Sequence, residues 1–407
     1  MAGQRVCVLL KTNEGGLWVV PQVEELRRRG HDVVVVLPPG PGHLTAQLAA
    51  RGFRTVDSPF DFRFRPTPAT LRGLWALRRL LRRLRPDVLK YHLYAAALAG
   101  RLAAIGLPPR RVHMVANQMY LESPVIRPVE RLLWRMDDVT IGCTRYISGI
   151  YGKLGCPADR RPVATIGIDL AEFTPPEQEG ARAVARAKAR AEIGVEEDAF
   201  VALMAGYVYA PTRLAHRGRG IKGHEVLLAA WPAFHARHPR ARLVLIGEGA
   251  TEAAKAYRRR LIERFGVAES TSVTWLGWVP DLRAYYTAAD VSLTPSLSEG
   301  SNRVVREASA MGVPSIVSDA GGLPEAVDDS YGWVVPRGDV AALTGALEAA
   351  HREFEAGALH RRGVLARRHA LRAFGFAGPA AEVADIVERA AALGPRGRRR
   401  RPAAGDR

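Results

Sequence analysis

Two glutamates stand eight positions apart in the second half of the chain, Glu299 and Glu307, within the run SEGSNRVVREASAMGVP. Ser301 or Asn302 can cap the helix that this run predicts, which leaves Glu299 in the preceding loop and Glu307 in the second turn. One carboxylate can accept hydrogen bonds from sugar hydroxyls while the other accepts them from a ribose diol. The helix N-terminus, with the backbone at Gly300, offers N–H groups and positive potential to a phosphate. An amphipathic helix with two solvated glutamates would show the same spacing, and spacing alone favours that plainer interpretation.

The segment GYVYAPTRLAHRGRGIKGH, residues 206–224, could supply positive charge for such a phosphate. A diphosphate leaving group needs cations on its oxygens while its bond to a sugar breaks, and the ammonium of Lys222 is a compact point charge. Only six of the 59 Lys and Arg residues are lysines, so a lysine in this glycine-framed loop is informative. A solvated loop cation is the alternative.

A third loop, TNEGGL, follows the first predicted strand and contains Gly15 and Gly16. Paired glycines let a backbone approach a ligand closely, and the next helix N-terminus favours an anion. A tight turn without a ligand explains the same residues equally well.

Short β-rich runs alternate with longer helical stretches, which predicts an α/β protein with two Rossmann-like domains, each a doubly wound parallel sheet. Ligands of such sheets bind beyond the carboxyl ends of the strands, so two domains facing across a cleft would hold the active site there. The predicted strands are Arg5–Lys11, Asp32–Leu37, Asp87–His92, Val112–Ala116, Asp138–Gly142 and Val163–Ile166, then Phe200–Gly206, Arg242–Gly247, Val273–Gly277, Val291–Pro295, Ser315–Ser318 and Gly332–Val335.

The domain boundary is predicted at FTPPEQEG, a Pro-rich polar stretch of linker type. We expect an N-terminal domain over residues 1–174 and a second domain over residues 175–375. A helix over residues 376–394 is free to pack back on the N-terminal domain, and the basic tail, residues 395–407, is expected to be disordered.

The net charge of +18 suggests nucleic acid as a partner. Much of the basic excess, however, lies in the tail and in residues 71–85, with no zinc-ligand cluster or aromatic-interleaved basic motif. We therefore expect no nucleic acid. The three cysteines are scattered and odd in number, and no apolar run is long enough to cross a membrane. These features predict a cytoplasmic protein.

The segment EGSNRVVREASAMGVPSIVSDAGGLPEAV resembles the hallmark segment of the retaining glycosyltransferases of family 4, which have the GT-B fold. The resemblance continues through LVLIGEG, VTWLGWVPDL, IKGHEVLLAAW and RRGHDVVVV. It implies that Glu299 binds hydroxyls of the donor sugar, that Glu307 binds the ribose and that Lys222 binds the diphosphate. The backbone at Gly300–Asn302 and at Gly15–Gly16 would complete the anion site. It further implies a nucleotide-sugar donor, by default UDP-linked, and neither metal nor cofactor.

The chain departs from this family pattern at two places. Tyr207 occupies the position of a family arginine that binds phosphate. Arg213, Arg217 or Arg219 could take over the role of that arginine, and Arg213 is favoured. Asn117 stands where family members often carry a histidine near the acceptor. An amide can hydrogen-bond an acceptor but cannot act as a general base. The usual proposal for such enzymes is front-face substitution, in which the leaving phosphate takes the acceptor proton.

Other interpretations remain open from the sequence. Leu74, Leu77, Leu81 and Leu84 form one stripe of the segment 71–85, which predicts either a helix that covers the sheet or a peripheral contact with the inner face of the membrane. A sugar-nucleotide epimerase of the same architecture, or a non-catalytic or nucleic-acid-binding protein on a degenerate scaffold, are alternatives to a transferase. The acceptor could be a polysaccharide, a glycolipid or a natural-product aglycone.

Overall fold

The structure, a computed structural model, describes residues 3–176, 178–211 and 218–396. By their internal contacts, the residues up to Gly167 and those from Phe376 onward form one unit, and Ile168–Gly375 form a second. Within the described ranges, each unit contains one sheet of six parallel strands. The predicted α/β class with two Rossmann-like sheets is therefore confirmed.

The first sheet has the strand order β3-β2-β1-β4-β5-β6, so the order reverses between β1 and β4. Apart from the edge strand β3, its strands are largely buried, as expected for a parallel sheet covered by helices. The elements are β1 Arg5–Leu9, α1 Val19–Arg28, β2 Asp32–Leu37, α2 His43–Ala50, β3 Arg54–Asp57, α3 Pro68–Leu84, β4 Val88–His92, α4 Leu93–Ala103, β5 Arg110–Val115, α5 Ile126–Leu133, β6 Val139–Gly142 and α6 Arg145–Lys153.

The second sheet has the order β12-β11-β10-β7-β8-β9, the same winding, with its reversal between β7 and β10. The elements are α7 Glu179–Glu192, β7 Val201–Ala205, α8 His224–His235, β8 Arg242–Ile246, α9 Glu252–Arg264, β9 Val273–Leu276, α10 Arg283–Ala288, β10 Val291–Thr294, α11 Arg303–Ala310, β11 Ser315–Ser318, β12 Gly332–Val335, α12 Val340–Glu355 and α13 Leu359–Ala373.

The last helix, α14 (Ala377–Ala392), packs on α1 and on β4 and β5 of the first unit. It adds Val383, Ile386 and Val387 to that unit's core. Residues 397–407 of the predicted basic tail lie outside the described residues. No helix in the described ranges is both long and apolar enough to cross a membrane.

Two strand predictions need correction. The predicted strand Val163–Ile166 is wrong, because only a single bridge joins Gly142 to Val163 there. The edge strand β3 was not predicted, because its four residues RTVD carry two charged groups and only one large apolar side chain.

Candidate functional site

Two loops meet at the point where the strand order of the second sheet reverses. One follows β7 and ends at Gly223, and the other follows β10. The backbone N–H of Leu297 donates to the carbonyl of Ile221 at 2.7 Å. Gly223 has φ +78°, and a Cβ on it would lie 1.9 Å from the carbonyl oxygen of Pro295. Only glycine allows this approach, which lies where doubly wound sheets bind ligands.

At this junction Lys222 and Glu299 form an ion pair. Their atoms Nζ and Oε2 are 2.5 Å apart, and the side chains are 18% and 11% exposed. The same carboxylate oxygen accepts hydrogen bonds from the Ser296 hydroxyl at 3.3 Å and from the Asn302 amide at 3.1 Å. The structure thus joins three residues predicted for the site, Lys222, Glu299 and Asn302, and adds Ser296.

The ion pair fixes the charge of the lysine. Burial lowers the pKa of the Lys222 ammonium, but attraction to the Glu299 carboxylate and the hydrogen bond between them outweigh burial, so the net pKa is raised. The Lys222 ammonium also lies 6.0 Å from the centre of the Tyr209 ring. In the described part of the junction, a protonated lysine therefore lies beside a carboxylate.

Helix α11 begins directly after this loop. The Asn302 side-chain oxygen caps it by accepting from the N–H of Val305 at 3.2 Å, which confirms the predicted cap. Gly300 is buried and Ser301 half-buried beside the cap. The N–H of Gly322, in the turn after β11, donates to the backbone carbonyl of Glu299 at 3.2 Å. Loops from three adjacent strands therefore hold Glu299.

Glu307 belongs to a separate cluster on the same helix. Its side chain is buried, and it accepts hydrogen bonds from the Tyr286 hydroxyl at 3.1 Å and from Arg303 Nε at 2.7 Å. Burial raises the pKa of the Glu307 carboxyl, and the adjacent Arg303 opposes that shift. Arg303 and Tyr286 were not predicted for the site. The i, i+4 spacing of Arg303 and Glu307 could have indicated the first of them.

The histidine next to Lys222 has a packing role. His224 is buried and stacks on Trp275, with ring centres 5.1 Å apart and nearly parallel planes. Burial, with the cations Lys222 and Arg258 nearby, lowers the pKa of His224 to about 3. It therefore stays neutral beside the charged Lys222.

The arginines proposed to replace the family phosphate ligand are only partly described. Arg213 and Arg217 lie outside the described residues. Arg219 is described, and its guanidinium nitrogen is 3.4 Å from a Cβ built on Gly338. Tyr207 follows the end of β7 and is 56% exposed. The choice of Arg213 stays a prediction.

The predicted residues of the first unit lie at the carboxyl edge of its own sheet. Gly15 and Gly16 stand in the loop between β1 and α1, where Gly16 has φ +88° and a Cβ on either glycine would meet no atom within 4 Å. Asn117 follows β5, the neighbour of β4. The sheet order reverses between β1 and β4, so these loops flank the second ligand-binding position that the topology provides.

Sequence comparisons match both halves of the chain to known families. The family described as Glycosyltransferase Family 4 matches residues 19–172, and the family described as Glycosyl transferases group 1 matches residues 208–353.

Two relatives carry related names. The chain is 33% identical over 294 residues to the D-inositol 3-phosphate glycosyltransferase of Saccharomonospora viridis, with 70% of this chain and 61% of that protein covered. It is 30% identical over 281 residues to D-inositol 3-phosphate glycosyltransferase 2 of Catenulispora acidiphila, with 66% and 58% covered. The matched part therefore spans about three fifths of the length of these relatives.

Solved structures match the chain over nearly its whole length. Anabaena HepE in complex with UDP superposes with a TM-score of 0.75 at 17% identity, covering 95% of this chain and all of that chain. The sucrose-phosphate synthase of Thermosynechococcus elongatus has a TM-score of 0.75 at 21% identity, covering 96% and 100%. At these identities the likeness shows a shared fold.

Proposed function

The chain belongs to the glycosyltransferases of family 4 type with the GT-B fold, and on that premise we propose that it transfers a sugar from a nucleotide-sugar donor to a hydroxyl acceptor. The observation that carries the proposal is the ion pair of Lys222 and Glu299 at the strand-order reversal of the second sheet. It places a cation and a hydrogen-bond acceptor side by side, which are the groups that a diphosphate and a sugar hydroxyl require.

Binding of the donor would redistribute the contacts of this pair. The Lys222 ammonium would turn to the diphosphate oxygens, whose negative charge grows as the glycosidic bond breaks. The Glu299 carboxylate would then accept from a sugar hydroxyl, still held by Ser296 and Asn302. Because these groups are already in place, little reorganisation accompanies the reaction.

Glu307 would bind the ribose of the same donor. Among the described residues, each of its carboxylate oxygens accepts one hydrogen bond, and a carboxylate oxygen has a second lone pair that could accept from a diol hydroxyl. UDP is the nucleotide that we propose, since Anabaena HepE binds UDP. We propose retention of the anomeric configuration by front-face substitution without a metal ion. Lys222 and backbone N–H groups would then neutralise the negative charge of the diphosphate.

The acceptor would approach the first unit near Asn117 and the Gly15–Gly16 loop, a change from the sequence-based prediction that this loop completes the anion site of the donor. The names of the matched relatives point to a phosphorylated cyclitol, D-inositol 3-phosphate. Such an acceptor offers ring hydroxyls as nucleophiles and a phosphate as a handle for a cationic or glycine-rich loop.

The experiment is a thermal-shift screen with UDP-, GDP- and ADP-sugars, because a cognate donor stabilises the folded chain by mass action. Transfer to D-inositol 3-phosphate is then assayed with and without EDTA, and NMR of the product reports the anomer. Glu299→Ala should abolish transfer while the fold persists, and Glu252→Ala, at an exposed glutamate of α9, is the control. Near-wild-type turnover of Glu299→Ala would refute the assignment, and conversion of the donor without an acceptor would favour an epimerase.

We also propose a peripheral contact of the first unit with the inner face of the membrane. The leucine stripe of α3 is not available for it, because Leu77, Leu81 and Leu84 are buried in the core and Leu74 packs against them. The opposite face exposes Leu71 by 70% and Trp75 by 59%. Residues 62–86 contain eight arginines and no acidic residue, which suits an anionic lipid surface.

Co-sedimentation with phosphatidylglycerol and phosphatidylcholine vesicles tests this contact. Replacing Arg79, Arg82 and Arg83 by Gln should abolish binding to the anionic vesicles, and raising the salt concentration should weaken wild-type binding. The control replaces three exposed arginines of α13 in the same way: Arg361, Arg368 and Arg372. Equal losses in both triple variants, or binding to nucleic acid in preference to vesicles, would contradict the proposal.

A further inference from the structure

Near its end, strand β4 places two buried titratable residues, Lys90 and His92, on the same face of the sheet, and the proposed reaction has not used them. Lys90 is fully buried, and its Nζ atom lies 2.6 Å from the amide oxygen of Gln22 and 2.6 Å from His92 Nε2. His92 is 2% exposed and is the last residue of the strand. The pair therefore lies where the first sheet reverses its strand order, next to β1.

The environment of Lys90 is unusual for a lysine. Its hydrogen-bond partners in the described part of the chain are the amide and the imidazole, and no carboxylate forms an ion pair with it there. Burial lowers the pKa of the Lys90 ammonium well below its ordinary value. Even a neutral amine has two N–H groups, enough to donate to both partners.

The direction of this hydrogen bond determines which nitrogen of His92 carries a hydrogen. With Lys90 as the donor to Nε2, the neutral imidazole carries its hydrogen on Nδ1. Burial, with Lys90 and His113 nearby, lowers the pKa of His92, which keeps the ring neutral. In the described residues Nδ1 is buried and has no hydrogen-bond partner. Buried donors are rarely left unpaired because each unpaired one destabilises the fold.

Two neighbouring features point to a ligand rather than to packing. Leu93, directly after His92, has φ +65°, a conformation that a branched side chain disfavours and that clusters at functional sites. The His92 ring lies against Trp18 with centres 4.8 Å apart. Trp18 follows the Gly15–Gly16 loop, where the space beside each glycine is open.

We propose that Lys90 and His92 form a hydrogen-bonded pair that binds the acceptor, in which Lys90 fixes the tautomer and His92 Nδ1–H donates to a hydroxyl oxygen of a polyol. This inference rests on the proposed transferase function and names residues for its acceptor half. His92 would touch the substrate, whereas Lys90 is a positioning residue that acts through His92.

The pair differs from a general base. A neutral imidazole with its hydrogen on Nδ1 and its Nε2 engaged by Lys90 has no free lone pair, so it can orient a hydroxyl but cannot remove its proton. The leaving phosphate therefore keeps the role of proton acceptor. Loss of the pair should raise the KM for the acceptor much more than it lowers kcat.

Two variants of His92 separate ligand binding from packing. The amide nitrogen of Asn reaches about the position of Nδ1, and that of Gln about the position of Nε2. His92→Asn should keep the KM for D-inositol 3-phosphate within about threefold of wild type, whereas His92→Gln should raise it by about 10- to 100-fold, as expected for one unpaired hydrogen bond. His31→Gln, at a buried histidine that contacts Glu388, is the control and should leave that KM unchanged.

Nitrogen-15 NMR of the histidines tests the tautomer without any ligand. His92 should show a protonated Nδ1 and an unprotonated Nε2, and Lys90→Met should mix or invert this pattern and raise the acceptor KM while preserving the fold. Three results would overturn the proposal. They are a protonated Nε2 in the wild-type protein, equal KM changes in the Asn and Gln variants, and no saturation by D-inositol 3-phosphate. His92→Gln should bind UDP as tightly as the wild-type protein does. If the wild-type protein itself fails to bind UDP, that result refutes the proposed donor site and not the role of His92.

Discussion

Lys222 and Glu299 neutralise one another in the structure, so removing either one should change the affinity for a nucleotide in opposite directions. Lys222→Met deletes the cation that a diphosphate needs and leaves a carboxylate that repels it. Glu299→Gln keeps the shape of the side chain, removes its charge and leaves Lys222 free for the diphosphate. UDP without a sugar should therefore bind more weakly to the first variant and as well or better to the second.

The magnitudes follow from the geometry of the pair. The side chains are 18% and 11% exposed, so the pair stands between an exposed ion pair, worth about 0–1 kcal/mol, and a buried one whose rupture costs about 3–5 kcal/mol. Because Ser296 and Asn302 still donate to Glu299, we expect Lys222→Met to lower the free energy of unfolding by about 1–2 kcal/mol. Transfer should fall by about 10²–10³-fold in both variants, as for the loss of one group that stabilises the transition state.

Isothermal titration with UDP, chemical unfolding and the transfer assay measure the three quantities. We expect Lys222→Met to weaken UDP binding by at least about tenfold, or about 1.4 kcal/mol, and Glu299→Gln to bind UDP at least as tightly as wild type. Lys255→Met, which removes an exposed lysine paired with Glu252 at 3.1 Å, is the matched control. Weakening of UDP binding by the same factor in both site variants would refute the reasoning, because the two residues would then act only by holding the loops together.

Three further predictions concern the stability of the fold. Gly223→Ala should destabilise the chain by more than about 2 kcal/mol in urea unfolding, because φ is +78° and its Cβ would overlap a backbone oxygen. Gly149→Ala, in an open helical position, is the control and should stabilise the chain by about 0.5–1 kcal/mol. Arg101→Met should cost about 3–5 kcal/mol in the same measurement, because it leaves two buried carboxylates without their cation, and a change below about 1 kcal/mol would contradict this. Burial and the adjacent His238 lower the pKa of His351. The unfolded chain therefore takes up this proton at a higher pH than the folded one, and the contribution of His351 to stability should be constant above about pH 6.5 and fall below it. His351→Gln should remove that part of the fall when melting temperature is followed from pH 8 to pH 5.

The sheet architecture could be predicted because parallel strands covered on both faces leave strong apolar runs, and eleven of the twelve described strands overlap a predicted one. The exception, β3, lies at a sheet edge, where one face need not be apolar. The predicted strand at Val163–Ile166 failed because a short apolar run also suits a buried loop. The leucine stripe of α3 was predicted correctly. The sequence could not show whether the stripe packs on the sheet or faces a membrane, because that depends on the residues that form the core of the first unit.

The local contacts of the proposed donor residues Glu299 and Asn302 could be predicted because both residues lie in one contiguous segment. Glu299 and Asn302 are three residues apart, so the cap of one helix positions both. Lys222 was less certain from the sequence, since its contact with Glu299 spans 77 positions and depends on the pairing of β7 with β10. The contacts of Glu307 with Tyr286 could not be predicted, because no local pattern relates α10 to α11.

The proposed acceptor residues follow no pattern specific to a ligand site, and for this reason His92 was not singled out from the sequence. In KYHL, a lysine and a histidine two positions apart on a strand indicate only that both face the same side of the sheet. The structure adds that Gln22 of α1 contacts Lys90 and that Trp18 of the preceding loop contacts His92. Neither contact can be predicted from the strand sequence. Asn117, which the family pattern singled out, contributes an amide at the end of the adjacent strand. If His92 supplies a fixed donor there, the absence of the family histidine at position 117 would be no obstacle to binding an acceptor. In the proposed mechanism, His92 at the end of β4 orients the acceptor, and the leaving phosphate takes its proton.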